Sequence, residues 1–98
     1  MRYKVDLRCS INIVSFYKNV LRKYKHTYSS SLMNKNIDEA IDAIYLIEKT
    51  LPRRKPTITR WQEQAFHMAH AGKWYYAYTV DGDTITIHDA CHEQNMHE

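Results

Sequence analysis

The chain has 98 residues, 44% hydrophobic and 26% charged, with a formal net charge of +3 and an isoelectric point near 8.9. That balance fits one folded domain over 1–98 and excludes a disordered or collagen-like chain, while the apolar runs are too short to span a membrane. The opening Met-Arg-Tyr-Lys-Val-Asp-Leu-Arg is too charged for a secretory signal, and Cys9 and Cys91 match neither a disulfide framework nor a zinc pattern, so a reducing cytoplasmic setting is expected.

Tyr3, Val5 and Leu7 alternate with Arg2, Lys4, Asp6 and Arg8, the two-residue period of a half-buried strand. Ser10 offers an N-cap for a helix starting near Ile11. Val14, Tyr17, Leu21 and Tyr24 form its apolar stripe, widened by Ile13, Phe16 and Val20, and the helix ends near Lys25-His26. Thr27 to Ser31 is a polar break whose serines can cap the next helix. From Leu32 to Lys49 the stripe continues through Met33, Ile37, Ala40, Ile41, Ile44 and Ile47, with Leu51 past its end. Pro52 and Pro56 then stop the helix. Two helices joined by a short linker predict an antiparallel helical hairpin.

Pro56 to Gln64 reads as loop passing into strand. Phe66 and Met68 alternate with His67 and Ala69 in a strand that ends at His70-Ala71-Gly72-Lys73. Trp74–Val80 and Thr84–Ala90 flank Asp81-Gly82, a strong signal for a tight hairpin. The order is β-α-α-β-β-β, an α+β fold. The helical hairpin is expected on one face of a small, mainly antiparallel twisted sheet, and the N-terminal strand on an edge. On the last strand Ile85 and Ile87 point one way, and Thr84, Thr86 and His88 the other. Regular continuation places His92 with His88, which predicts a polar second face with histidines toward its C-terminal edge. Arg53, Arg54, Lys55 and Arg60 give a basic rim in the loop before the sheet.

Gly72 to Val80, then Asp83-Thr84-Ile85-Thr86-Ile87, then Ala90-Cys91-His92 with a short tail to Met96 resemble the RelE/ParE superfamily of toxins from bacterial type II toxin–antitoxin systems. The likeness is nearest to the YafQ-like and RelE-like messenger RNA endonucleases. It implies a ribosome-dependent mRNA interferase acting in the A site without cofactor or metal, with a cognate antitoxin as protein partner and no membrane association. His92 fits the C-terminal catalytic histidine of that family. His67 or His70 fits the histidine upstream of the tryptophan, and Trp74 fits the tryptophan itself. Met96 stands where relatives often carry an aromatic residue. Lys73 replaces an acidic residue of the pattern, and no histidine lies between Arg53 and Arg60, where that branch can have one. Phosphate contacts then fall to Arg60, Lys73 and the run Arg53, Arg54, Lys55. Some members of the superfamily instead bind DNA gyrase and cut nothing, and a degenerate module that only binds its antitoxin is a third alternative.

Metal-free RNA cleavage needs a base for the 2′-hydroxyl, an acid for the leaving 5′-oxygen and cations for the pentavalent phosphate. Histidine, with a pKa of about 6.5, suits both proton roles. A well-placed cationic donor contributes about 3–4 kcal/mol by analogy with oxyanion sites. A stacked aromatic ring contributes roughly 1–3 kcal/mol per base. His92, His67, His70 and His88 are the candidate proton carriers, and Trp74 the candidate stacking ring. The plainer roles are a solvated tail for His92, surface strand ends for His67 and His70, a cross-strand polar neighbour for His88 and core packing for Trp74. Arg53, Arg54 and Lys55 are plainly accommodated as a solvated loop. His88, Asp89 and His92 make only a weak metal-ligand pattern.

Overall fold

The structure, a computed structural model, describes residues 2–47 and 55–96. Arg53 and Arg54 lie outside them, as do Lys49, Leu51, Pro52 and His97. In order, the elements are β1 (Arg2–Val5), α1 (Leu7–Lys23), α2 (Ser30–Ile44), α3 (Thr59–Gln62), β2 (His67–Ala71), β3 (Trp74–Asp81) and β4 (Thr84–His92), followed by a 3-10 turn over Glu93–Asn95. This is an α+β protein, with three α-helices and a four-stranded mixed sheet among the described residues. Among these residues no helix is long and apolar enough to cross a membrane.

The first helix begins ahead of the expected start at Ile11. Asp6 is extended, and its carboxylate accepts the Arg8 N–H at 2.8 Å, so Asp6 is the N-cap and Ser10 lies inside the helix. Leu7 is therefore a first-turn residue, 71% exposed, and not a strand position. The buried line on α1 is Cys9, Ile13 and Tyr17, at four-residue spacing, with Phe16 beside it. The stripe is thus rotated from the expected Val14–Tyr17–Leu21–Tyr24 line toward Ile13, keeping Tyr17, and Tyr24 stands exposed as the C-cap. Ser29 caps α2 by accepting the Leu32 N–H at 3.1 Å. The helix ends at Ile44, while Ile47 beyond it is still buried.

The sheet order is β1-β4-β3-β2. The N-terminal strand joins the edge parallel to β4, with Tyr3 opposite Ile85 and Val5 opposite Ile87; the other two pairings are antiparallel. Both hairpins turn through a glycine with positive φ, Gly72 at 62° and Gly82 at 61°, as two-residue turns demand. The helical hairpin covers one face, where α1 and α2 pack Ile13, Tyr17 and Ile44 against Tyr76, Tyr78, Ile85 and Ile87. Burial of each such aliphatic side chain contributes about 1.5–3 kcal/mol. The buried polar tips are paired: Trp74 Nε1 donates to the Tyr17 hydroxyl at 2.9 Å, and the Tyr76 hydroxyl to the Ala40 carbonyl.

Two expectations are corrected by the sheet. The second face is not simply polar. The segment expected as loop passing into strand contains α3, which buries Ile58 and Trp61 against Met68, Ala77 and Cys91, with Phe66, Tyr75 and Met96 packed around them. The regular alternation of β4 also fails. Ala77 pairs with Asp89 but Tyr78 pairs with Ile87, so His88 is an extra, bulged residue. The bulge returns Ala90 and His92 to the face of Ile85 and Ile87, opposite to where unbroken parity puts them.

Candidate functional site

A cleft of about 570 Å³ opens on the helical side of the sheet. Its walls come from the two ends of the loop joining α1 to α2 (Tyr24, Tyr28), from α2 (Glu39), from the β2–β3 turn (Lys73) and from the chain leaving β4 (His92, Glu93). The Gly72 turn holds Lys73 at this position, and the Lys73 carbonyl accepts the Glu93 N–H at 2.8 Å, tying the turn to the C-terminal segment.

His92 forms part of the cleft wall and is 5% exposed. Its ring stacks on Phe16 with centroids 4.1 Å apart and meets Trp74, its register partner, edge-on at 5.3 Å. Nδ1 accepts the Gln94 N–H at 3.2 Å and so caps the final 3-10 turn. A backbone N–H can only donate, so Nδ1 carries the lone pair and the neutral ring carries its proton on Nε2. Burial pushes the His92 pKa below its ordinary 6.5; Glu93 opposes that shift and Lys73 adds to it. The imidazole is thus favoured neutral, with an Nε2–H that has no hydrogen-bond partner among the described residues. In this tautomer His92 is first a hydrogen-bond donor. It can take a proton at Nε2 only by surrendering the cap on Gln94.

The other expected residues do not join it. His67 lies beside Tyr78 with ring centroids 5.5 Å apart, at the opposite end of β2 from Ala71, which pairs with Trp74. His70 stacks on Tyr75 at 4.2 Å, and its Nε2 is 4.0 Å from a Glu93 carboxylate oxygen. His88 stacks on Phe66 at 4.5 Å, with its Nε2 2.8 Å from the Thr79 hydroxyl. Because the bulge separates His88 from His92 across the sheet, His88, Asp89 and His92 form no shared metal site.

Trp74 is 3% exposed, and Tyr17 takes its ring nitrogen, which makes it cleft wall more than a free stacking platform. Met96 packs in the cluster on the second face. Arg60 lies there too, with Nε 3.8 Å from Asp89 Oδ2 and its guanidinium over the Trp61 ring. Of the expected phosphate ligands among the described residues, only Lys73 reaches the cleft; Lys55 is exposed outside it.

Two residues have structural roles that the sequence reading did not assign to them. Asp89, 6% exposed, accepts from Asn12 Nδ2 at 2.6 Å, from Trp61 Nε1 at 2.9 Å and from the Ala90 N–H at 2.9 Å. It thereby locks α1 and α3 to the bulge. Trp61 is the other, and its signal was legible: Ile58 and Trp61 three residues apart place two large apolar groups on one helical turn. No protein-family model, curated protein or solved structure matches this chain.

Proposed function

We propose that the protein is a toxin of the RelE/ParE kind that cleaves translated messenger RNA in the ribosomal A site, and that a cognate antitoxin neutralises it by covering the cleft beside His92. The observation that carries this reading is the pairing of an unspent Nε2–H on a neutral, tightly held imidazole with the Lys73 side chain in one cleft. A helical hairpin on one face of a β1-β4-β3-β2 sheet supports it as well.

In this mechanism Lys73 and His92 Nε2–H hold the non-bridging oxygens of the scissile phosphate and stabilise the charge of the pentavalent state. The 2′-oxygen attacks phosphorus, leaving a 2′,3′-cyclic phosphate and a 5′-hydroxyl. The 2′-proton passes to water, and water returns a proton to the leaving 5′-oxygen.

A second reading is a non-catalytic toxin that binds DNA gyrase. The dispersal of His67, His70 and His88 away from the cleft favours it, because among the described residues no second imidazole faces His92. His92→Leu separates the two. It keeps the approximate volume but can neither donate to the phosphate nor carry a proton. Growth arrest that disappears in this variant, with antitoxin binding retained, supports cleavage; undiminished arrest supports the gyrase reading.

A further inference from the structure

The cleft holds charges that phosphate chemistry alone does not use. Glu39 on α2 and Lys73 on the turn both line it, and neither side chain has a hydrogen bond or ion pair to another described residue. Both bear on its floor: burial raises the pKa of Tyr17 and the Glu39 carboxylate adds to the rise, while burial lowers that of His92 and the Lys73 ammonium adds to the fall. Glu93, the other carboxylate among the described cleft residues, has an oxygen 4.0 Å from His70 Nε2 on the neighbouring edge strand. Aromatic surface is at hand. Tyr24 is 50% exposed, and Asn36 Nδ2 fixes Tyr28 by donating to its hydroxyl at 2.7 Å. Ala40 and Ala43 leave depth between these rings and the sheet, and the cavity volume suits a ligand of nucleotide size.

We propose that this cleft is a base-reading subsite selective for guanine, with the Glu39 carboxylate accepting from guanine N1–H and the exocyclic amine, a tyrosine face stacking the ring and Lys73 meeting the attached phosphate. The inference rests on the RNA-cleaving reading and adds its specificity. Guanine alone among the four bases presents two adjacent N–H donors on its Watson–Crick edge, which match the two acceptor oxygens of a carboxylate. Adenine and cytosine place a ring-nitrogen lone pair beside their amine, and uracil flanks its one N–H with carbonyls. Each of these turns an acceptor toward Glu39. A splayed single-stranded base is read in this way, by its edge and by stacking.

The test is titration of the full chain with the four nucleoside 3′-monophosphates, followed by amide chemical shifts, on wild type and Glu39→Gln. Guanosine 3′-monophosphate is expected to bind about tenfold tighter than the other three, with shifts at Lys73 and Tyr28, and Glu39→Gln to erase that margin. Glu39 is exposed, so this variant should fold as wild type does. Equal affinity for all four nucleotides, no binding, or a guanine margin untouched by Glu39→Gln overturns the proposal. The two readings fail separately. RNA cut by wild type without a guanine bias removes the specificity and leaves the nuclease, whereas a Glu39-dependent guanine margin in a chain that cuts no RNA removes the nuclease and leaves the subsite.

Discussion

The two faces of the sheet handle their polar groups in opposite ways. On the second face the groups around the bulge are spent: both Asp89 oxygens are engaged by Asn12, Trp61 and its own neighbouring amide, Arg60 lies against Asp89 and Trp61, and His88 pairs with Thr79, while His70 Nε2 on the edge strand is buried without a hydrogen-bond partner. On the helical face, in the cleft, His92 Nε2, Lys73 and Glu39 are unspent. Groups that satisfy one another hold a fold together, and groups left unpaired at a cavity are available to a ligand. The bulge at His88 draws the boundary, since it turns Asp89 toward α1 and α3 and His92 toward the helices.

Removing a structural residue from the second face should then lower stability while leaving the chemistry of the cleft intact in whatever remains folded. Trp61→Ala has the largest expected effect, about 3–5 kcal/mol in urea unfolding, from the lost ring volume and the orphaned Asp89 oxygen. Asp89→Asn should cost about 1–3 kcal/mol, because the amide turns a donor toward the donors of Trp61 or Asn12. Destabilisation by either variant well below 1 kcal/mol would break the division between the two faces.

His92 joins the faces through pH. Its folded pKa lies below the ordinary 6.5, so the unfolded chain takes up this proton first as pH falls. Its contribution to stability is whole above 6.5 and declines as pH drops from there toward the lowered value, as the buried ring charges and the cap on Gln94 is lost. His92→Gln should flatten that part of the stability profile, and an unchanged slope would place the titration elsewhere. The smallest effect is expected at Ala65, which turns the chain from α3 into β2 with φ of 56°. Ala65→Gly relieves a left-handed conformation and should change stability by less than about 1 kcal/mol, with a rise expected in the melting temperature.

Much of the scaffold was legible because local patterns and packing agree. Ser29 capping α2, the Ile37–Ile44 stripe and the turns at Gly72 and Gly82 each follow from short-range chemistry that the tertiary structure does not override. Tertiary competition decided the rest. Asp6 displaced Ser10 as the cap because its extended backbone places a carboxylate at the free N–H groups of α1. The parity of β4 failed because a bulge leaves no mark in hydrophobic alternation. Its only trace was Asp89 beside Ile87-His88, a buried acid in a strand with no partner nearby in sequence. In the candidate site His92 and Lys73 were both named from the sequence and both line the cleft, but His92 was expected on the opposite face of the sheet. Glu39 and the tyrosines at the helical tip were not, because residues so far apart in sequence meet only once the hairpin docks on the sheet.

Primer extension along translated messages, in cells making wild type or Lys73→Ala at equal abundance, tests the cleft most directly. Lys73 is exposed and its side chain packs in no core cluster, so its removal should leave the fold standing. Cuts are expected in wild type, vanishing when translation is blocked and falling about 100-fold or more in the variant. Messages left whole by wild type, or cut equally well by Lys73→Ala, would contradict an RNA-cleaving role for the cleft.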